Sequence, residues 1–275
     1  SLRGNRLSGT IPSELGQWAM LQHFDVSRNQ LSGTIPPEFG RFFNLTLLDL
    51  SNNRFMGALP TELGNMGRCQ RLVLGNNMLA GPVPTELGNL RRLQSFQASS
   101  NMLTSFPTEL GRLTFLDTLS LVENKIRGTL PSEISGMRRL VLLELSNNLL
   151  TGTIPSQIGS LVDMRDRIDL SYNYLTGQLP SELGNLTRLR VLALNNNKLS
   201  GMIPSELGAL VRITTLSLES NDLVGTLPWE VCNTFNQTYP AFSSDCSEFQ
   251  DDCPCCTSCC VDNEACQCRY MGTPQ

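Results

Sequence analysis

Side-chain chemistry needs reactive groups gathered in one place, and this chain gathers only one kind. Nine of its ten cysteines crowd the last stretch: Cys232, Cys246, Cys253, Cys255, Cys256, Cys259, Cys260, Cys266 and Cys268. The C-x-C and C-x-x-C spacings between Cys253 and Cys260 suit zinc or copper held by thiolate. The same density suits disulfides made in an oxidising compartment. Three acceptor sequons, at Asn44, Asn185 and Asn236, agree with a secretory route. Disulfides are therefore the favoured reading, and no metal or cofactor is expected. Nine is an odd number, so one cysteine must stay free, join another chain or find a partner outside this sequence. Cys246 is the expected partner of Cys232.

Signals for catalysis are missing. His23 is the one histidine, and neither a nucleophile motif nor a Gly-rich phosphate loop accompanies it. The carboxylates are spread along the chain without a designed pair. The net charge of −4 excludes a polybasic nucleic-acid binder. No run of 18 apolar residues is present, so no membrane span is expected. The chain starts at Ser1-Leu2-Arg3-Gly4-Asn5, inside a repeat and without Met, and is expected to be a mature fragment or partial chain. Binding, not catalysis, is the expected mode of action.

What must position any binding group is a repeat. Asparagine recurs at Asn5, Asn29, Asn53, Asn77, Asn101, Asn124, Asn148, Asn173, Asn197 and Asn221, spaced 24, 24, 24, 24, 23, 24, 25, 24 and 24 residues apart. A proline ruler runs in register from Pro12 to Pro228. Such a period means a solenoid, because one unit cannot bury its own apolar face. In Leu189-Arg190-Val191-Leu192-Ala193-Leu194 the alternation predicts a short strand with Leu192 and Leu194 inward. Stacked copies predict a parallel sheet on the order of 45 Å long. Each asparagine amide both donates and accepts, so it is expected to bind turn backbone groups of its own and the next repeat, forming a buried ladder. Ser205 and its equivalents are expected to cap a short helix, and Gly208 to stop it. Cys69 stands in a leucine slot eight before Asn77 and should be a buried free thiol.

The string Leu31-Ser32-Gly33-Thr34-Ile35-Pro36, with relatives at 7–12 and 150–155, resembles the plant-specific class of extracellular leucine-rich repeats. The resemblance covers residues 2 to 231. It implies an α/β solenoid: a right-handed superhelix with a concave parallel sheet, a second short strand per repeat and convex 3₁₀ or short helices. It implies binding of peptides, carbohydrates or other proteins on the concave sheet. The cysteine run from Cys253 to Cys260 departs from the usual plant cap and looks like terminal clusters of diatom leucine-rich-repeat proteins. The expected organisation is a solenoid over 1–231 and a disulfide-rich cap over 232–275. Earlier repeats or a partner chain are expected before Ser1.

Two rungs break the period. Asn101 to Pro107 is one residue short and lacks its Gly; Val162 to Arg167 carries one extra residue. Solenoid loops absorb single indels; alternatively these rungs mark the binding region. Residues expected to face out of the sheet include His23, Asp25, Asp49, Arg71, Glu144, Arg167, Asp169 and Tyr172, with the best cluster at Glu144 to Tyr172. Threonines 10, 34, 129, 153 and 226 form another row, but Ala58, Pro82, Gln178 and Met202 interrupt it, which argues against ordering of ice-like water. The expected protein is a secreted or cell-surface recognition module for a protein or peptide, with carbohydrate as a further ligand class. The alternative is a structural component of an extracellular assembly.

Overall fold

The computed structural model describes residues 1–238, 241–244 and 266–267. Three-residue strands at 23–25, 47–49, 71–73, 95–97, 118–120, 142–144, 167–169, 191–193 and 215–217 pair in parallel, in chain order, into one long sheet. Ala241–Ser244 continues it in parallel, and Cys266–Gln267 joins antiparallel. The middle residue of every repeat strand is buried: Phe24, Leu48, Leu72, Phe96, Leu119, Leu143, Ile168, Leu192 and Leu216. Each buried side chain of this size contributes about 1.5–3 kcal/mol. The flanking residues of each strand stay more open, as the alternation requires.

The second strand appears after every repeat asparagine from Asn29 on, from Gln30–Gly33 to Asp222–Leu223. The glycine of Leu-x-Gly takes positive φ, for example 81° at Gly33 and 78° at Gly201, which glycine adopts without steric cost. The short rung lacks that glycine, and no residue from 102 to 106 has positive φ. Its strand shrinks to Met102–Leu103, a lone bridge joins Ser105 to Arg127, and the second layer falls into two five-stranded sheets. The long sheet passes this rung unbroken. At the long rung, Met164 is buried in the leucine slot and the extra residue is taken up at 165–166, so Leu142, Arg167 and Val191 keep register.

Two expectations about the short helices are corrected. Among the described residues nine 3₁₀ helices run from Ser13–Gln17 to Ser205–Ala209. Their N-cap is the proline, and no side chain caps them; the Ser205 hydroxyl instead donates to Glu206 Oε2 at 3.4 Å. Nor does Gly208 end its helix, which continues to Ala209. Glycine is needed there for stacking. A Cβ on Gly64 would lie 2.4 Å from the Glu86 carbonyl oxygen, and one on Gly184 2.3 Å from that of Glu206.

The asparagine ladder is present, with its direction reversed from expectation. Asn148 Nδ2 donates to the carbonyls of Leu145 and Ser146 in its own turn, and to Leu121 of the preceding rung at 2.9 Å. Its Oδ1 accepts the Ile126 N–H at 3.0 Å, also from the preceding rung. The same pattern recurs at every ladder position from Asn29 to Asn221, as at Asn53, Asn101 and Asn173.

At the end of the stack, helix Trp229–Thr238 packs on Ser205–Ala209, with Val231 and Cys232 buried. The Thr234 hydroxyl donates to the Gly208 carbonyl. The side chains of the other eight cysteines of the expected cap lie outside the described residues. Cys69 is a fully buried free thiol, and burial pushes it up to about 12 despite its hydrogen bond to the Arg71 carbonyl. It is therefore protonated and inaccessible. An aromatic disulfide reagent at about pH 8 is expected to leave Cys69 unmodified in the native protein and to titrate it only after unfolding. Rapid native reaction would contradict its placement. Among the described residues no helix is long and apolar enough to cross a membrane.

Candidate binding face

The long sheet presents two outward rows. Register pairs Asp25, Asp49, Val73, Gln97, Ser120, Glu144, Asp169, Ala193 and Ser217 across neighbouring strands. It likewise pairs His23, Leu47, Arg71, Ser95, Thr118, Leu142, Arg167, Val191 and Thr215. The eight candidate residues fall into two groups. His23, Asp25, Asp49 and Arg71 occupy the first three strands; Glu144, Arg167 and Asp169 occupy two adjacent strands further on, with Tyr172 just after them. The strands Ser95–Gln97 and Thr118–Ser120 separate the groups.

The aspartates are partly committed to the fold. Asp49 Oδ1 accepts the Ser51 N–H at 3.0 Å and its hydroxyl at 2.7 Å. Asp25 with Ser27 and Asp169 with Ser171 repeat this turn. The signal was in the sequence as Asp-x-Ser, before the left-handed turn. Burial works to raise the Asp25 carboxyl, but hydrogen bonds from Ser27 and Ser1 and the charge of Arg3 outweigh it, leaving it below the usual range. Its contribution to stability is thus present at neutral pH and lost as the pH falls through the lowered folded value.

The second group keeps more freedom. Arg167 Nη1 lies 4.0 Å from Asp169 Oδ2, with the arginine side chain 43% exposed. Glu144 accepts the Ser120 hydroxyl at 2.8 Å, and Ser120 meets the Ser99 hydroxyl at 2.9 Å. This serine chain leads from the middle strands to Glu144, a link that repeat positions alone do not reveal. Half-buried Leu142, Val191 and Ala193 sit beside the charges, so the face offers apolar patches between ionic points.

Tyr172 is the one aromatic in a row of left-handed residues that also holds Arg28, Ser100, Glu123 and Ser220. The residue before each ladder asparagine, from Arg28 to Ser220, has φ between 53° and 58°. Asparagine fills that position at 52, 76, 147 and 196 and tolerates the left-handed region. Tyrosine does not, and strain of this kind costs on the order of 1–2 kcal/mol. The residue is nonetheless 53% exposed. A strained, open aromatic in the same rung as Arg167 has the composition of a binding hot spot. Among the described residues no group of three His, Cys, Asp or Glu is placed to hold a metal.

Comparison with known proteins agrees with this architecture. The leucine-rich repeat region profile matches residues 83–238, and the leucine-rich repeat profile matches 20–42 and 44–66. A plant peptide hormone receptor, RGFR1 in complex with RGF2, is 37% identical with a TM-score of 0.82, over 84% of this chain and 37% of that one. The ectodomain of the Arabidopsis receptor kinase HAESA, in complex with an IDA peptide hormone ligand, is 32% identical with a TM-score of 0.78, over 89% and 40%. A plant ice-binding protein is 26% identical with a TM-score of 0.68, over 82% and 73%. The chain thus spans about two fifths of the two receptor structures. Curated protein sequences give no match.

Proposed function

The chain belongs to the leucine-rich repeat family, and from that premise we propose that it is an extracellular recognition module holding a peptide or protein segment against its concave sheet. The bound segment lies across Glu144, Arg167, Asp169 and Tyr172. The observation that carries this is Tyr172, an exposed aromatic kept in a left-handed conformation that asparagine fills at four of the other eight rungs. The receptor structures, solved in complex with peptide hormones, support the same use of the fold. Action is by non-covalent binding. A site at His23, Asp25, Asp49 and Arg71 extends the same face toward the first rungs.

The module is secreted or displayed at the cell surface, a reading supported by the receptor relatives and by the exposed sequon asparagine Asn185. Residues 232–275 form its disulfide-closed cap, a reading supported by Cys232, which is buried and disulfide-bonded.

Panning a displayed random-peptide library, alongside sedimentation of the protein alone, tests the proposal. A monomer that retains peptides competing with one another is expected. Self-association with no peptide recovery would overturn it in favour of a structural assembly component. The ice-binding relative prompts one further check. Met56, Met78 and Met102 lie exposed in the second layer among the interrupted threonines, so no inhibition of ice recrystallisation is expected.

A further inference from the structure

Each rung turns from its 3₁₀ helix into the long sheet through a two-residue turn, and in the rungs at 67–68, 91–92, 114–115 and 138–139 both turn residues are exposed. In the four consecutive rungs from residue 67 to 139 these turns and the helix ends carry Arg68, Arg91, Arg92, Arg112, Arg138 and Arg139, all exposed. Among the described residues ion pairs involve only Arg167 and Arg188, so no acid neutralises these six. Arg91 donates to the Arg112 carbonyl at 2.8 Å. Arg139 stacks 4.8 Å from the ring centroid of Phe115, which itself is 47% exposed. Asp117, half-buried, is the one carboxylate between helix end and strand in these rungs. One row over, the 3₁₀ helices each carry a glutamate: Glu62, Glu86, Glu109 and Glu133. A chain of net charge −4 therefore concentrates positive charge in a narrow stripe with an acidic border.

We propose that this arginine stripe binds a linear acidic polysaccharide, at a site separate from the peptide face. The stripe is one turn wide and advances about 4.8 Å per rung, which suits a thin polymer with one anionic group per sugar. Its acidic border repels a broad polyanionic surface such as a membrane or duplex. Phe115 between Arg92 and Arg139 gives a sugar ring an apolar face to stack on, while arginine forks pair with carboxylate or sulfate. A purely solvated charged edge would need neither the aromatic nor the separation of signs. The sequons Asn44 and Asn185 lie on this edge but outside the four rungs, so glycans there would leave the stripe open.

The probes are polygalacturonate and a sulfated galactan, with neutral dextran as control. The Arg91→Ser, Arg92→Ser, Arg138→Ser, Arg139→Ser variant should lose at least about tenfold in affinity and show a shallower salt dependence. A variant with the same charge change in the second layer, at Arg54, Lys125, Arg127 and Lys198, should stay within about twofold. Phe115→Ser should weaken polysaccharide binding with the salt dependence unchanged. Peptide binding should be unaffected in all three. Equal losses in the two charge variants, or binding to anionic phospholipid vesicles or single-stranded DNA as strong as to the polysaccharides, would overturn the proposal.

Discussion

Asn148→Ala should destabilise the fold by about 3–5 kcal/mol. The side chain is 5% exposed and makes four hydrogen bonds to backbone, two of them to the preceding rung. Removing it orphans the Ile126 N–H in a place water does not reach, while the Leu121 and Leu145 carbonyls each lose one of two amide donors and keep Asn124 and Asn173. The orphaned donor costs about 1–3 kcal/mol and each other lost bond about 0.5–1.5 kcal/mol. The loss also severs a link between rungs, so the two sides of the stack should begin to melt separately, as expected where nearest-neighbour coupling holds a solenoid together. Denaturant unfolding followed by circular dichroism reads both effects. Asn5→Ala is the comparison: Asn5 is exposed and bonds only Leu2 and Arg3 of its own turn, so it should cost under about 1 kcal/mol. Equal costs at the two positions would mean the ladder is not what couples the rungs.

The repeat itself was legible because two rulers, asparagine and proline, kept register, and each has a physical role that few residues fill. The leucine slots and the buried Cys69 followed from the same register, while the second strand followed from the resemblance to plant-specific leucine-rich repeats. Three features did not. The ladder's direction was not legible because each inner rung has a neighbour on both sides and amide chemistry is the same either way. Gly208 reads as a helix stop from its local neighbours, yet its constraint comes from Glu230 of the next rung, where a Cβ would lie 2.6 Å from the backbone carbon. Tyr172 was legible as an outward residue but not as a strained one, because positive φ at a non-glycine position is visible only in the backbone. At the candidate site, sequence register placed each row correctly but could not show that Asp25, Asp49 and Asp169 each lend an oxygen to a serine turn.

The strain at Tyr172 gives a second large effect, one that separates binding from folding. Tyr172→Asn puts into the left-handed position the residue that occupies it at Asn147 and Asn196. Stability should hold or rise by about 1 kcal/mol, as strain is released. Affinity for a peptide selected on the wild-type protein should fall by about 30-fold or more, the size of a lost aromatic anchor. Adding Arg167→Ala should deepen the loss and free Asp169 from its neighbour 4.0 Å away. A variant that loses affinity and stability together would show that the tyrosine serves the fold instead of a ligand. Titration calorimetry and thermal melting on the same preparations read both quantities.

The most direct measurement is hydrogen exchange of the wild-type protein with and without a selected peptide. Binding across the concave sheet should slow exchange in the strands at 142–144 and 167–169 and in the turn at Tyr172, leaving the second layer and the arginine turns unchanged. Protection confined to the second layer, or to the turns between residues 67 and 139, would contradict the concave-face assignment.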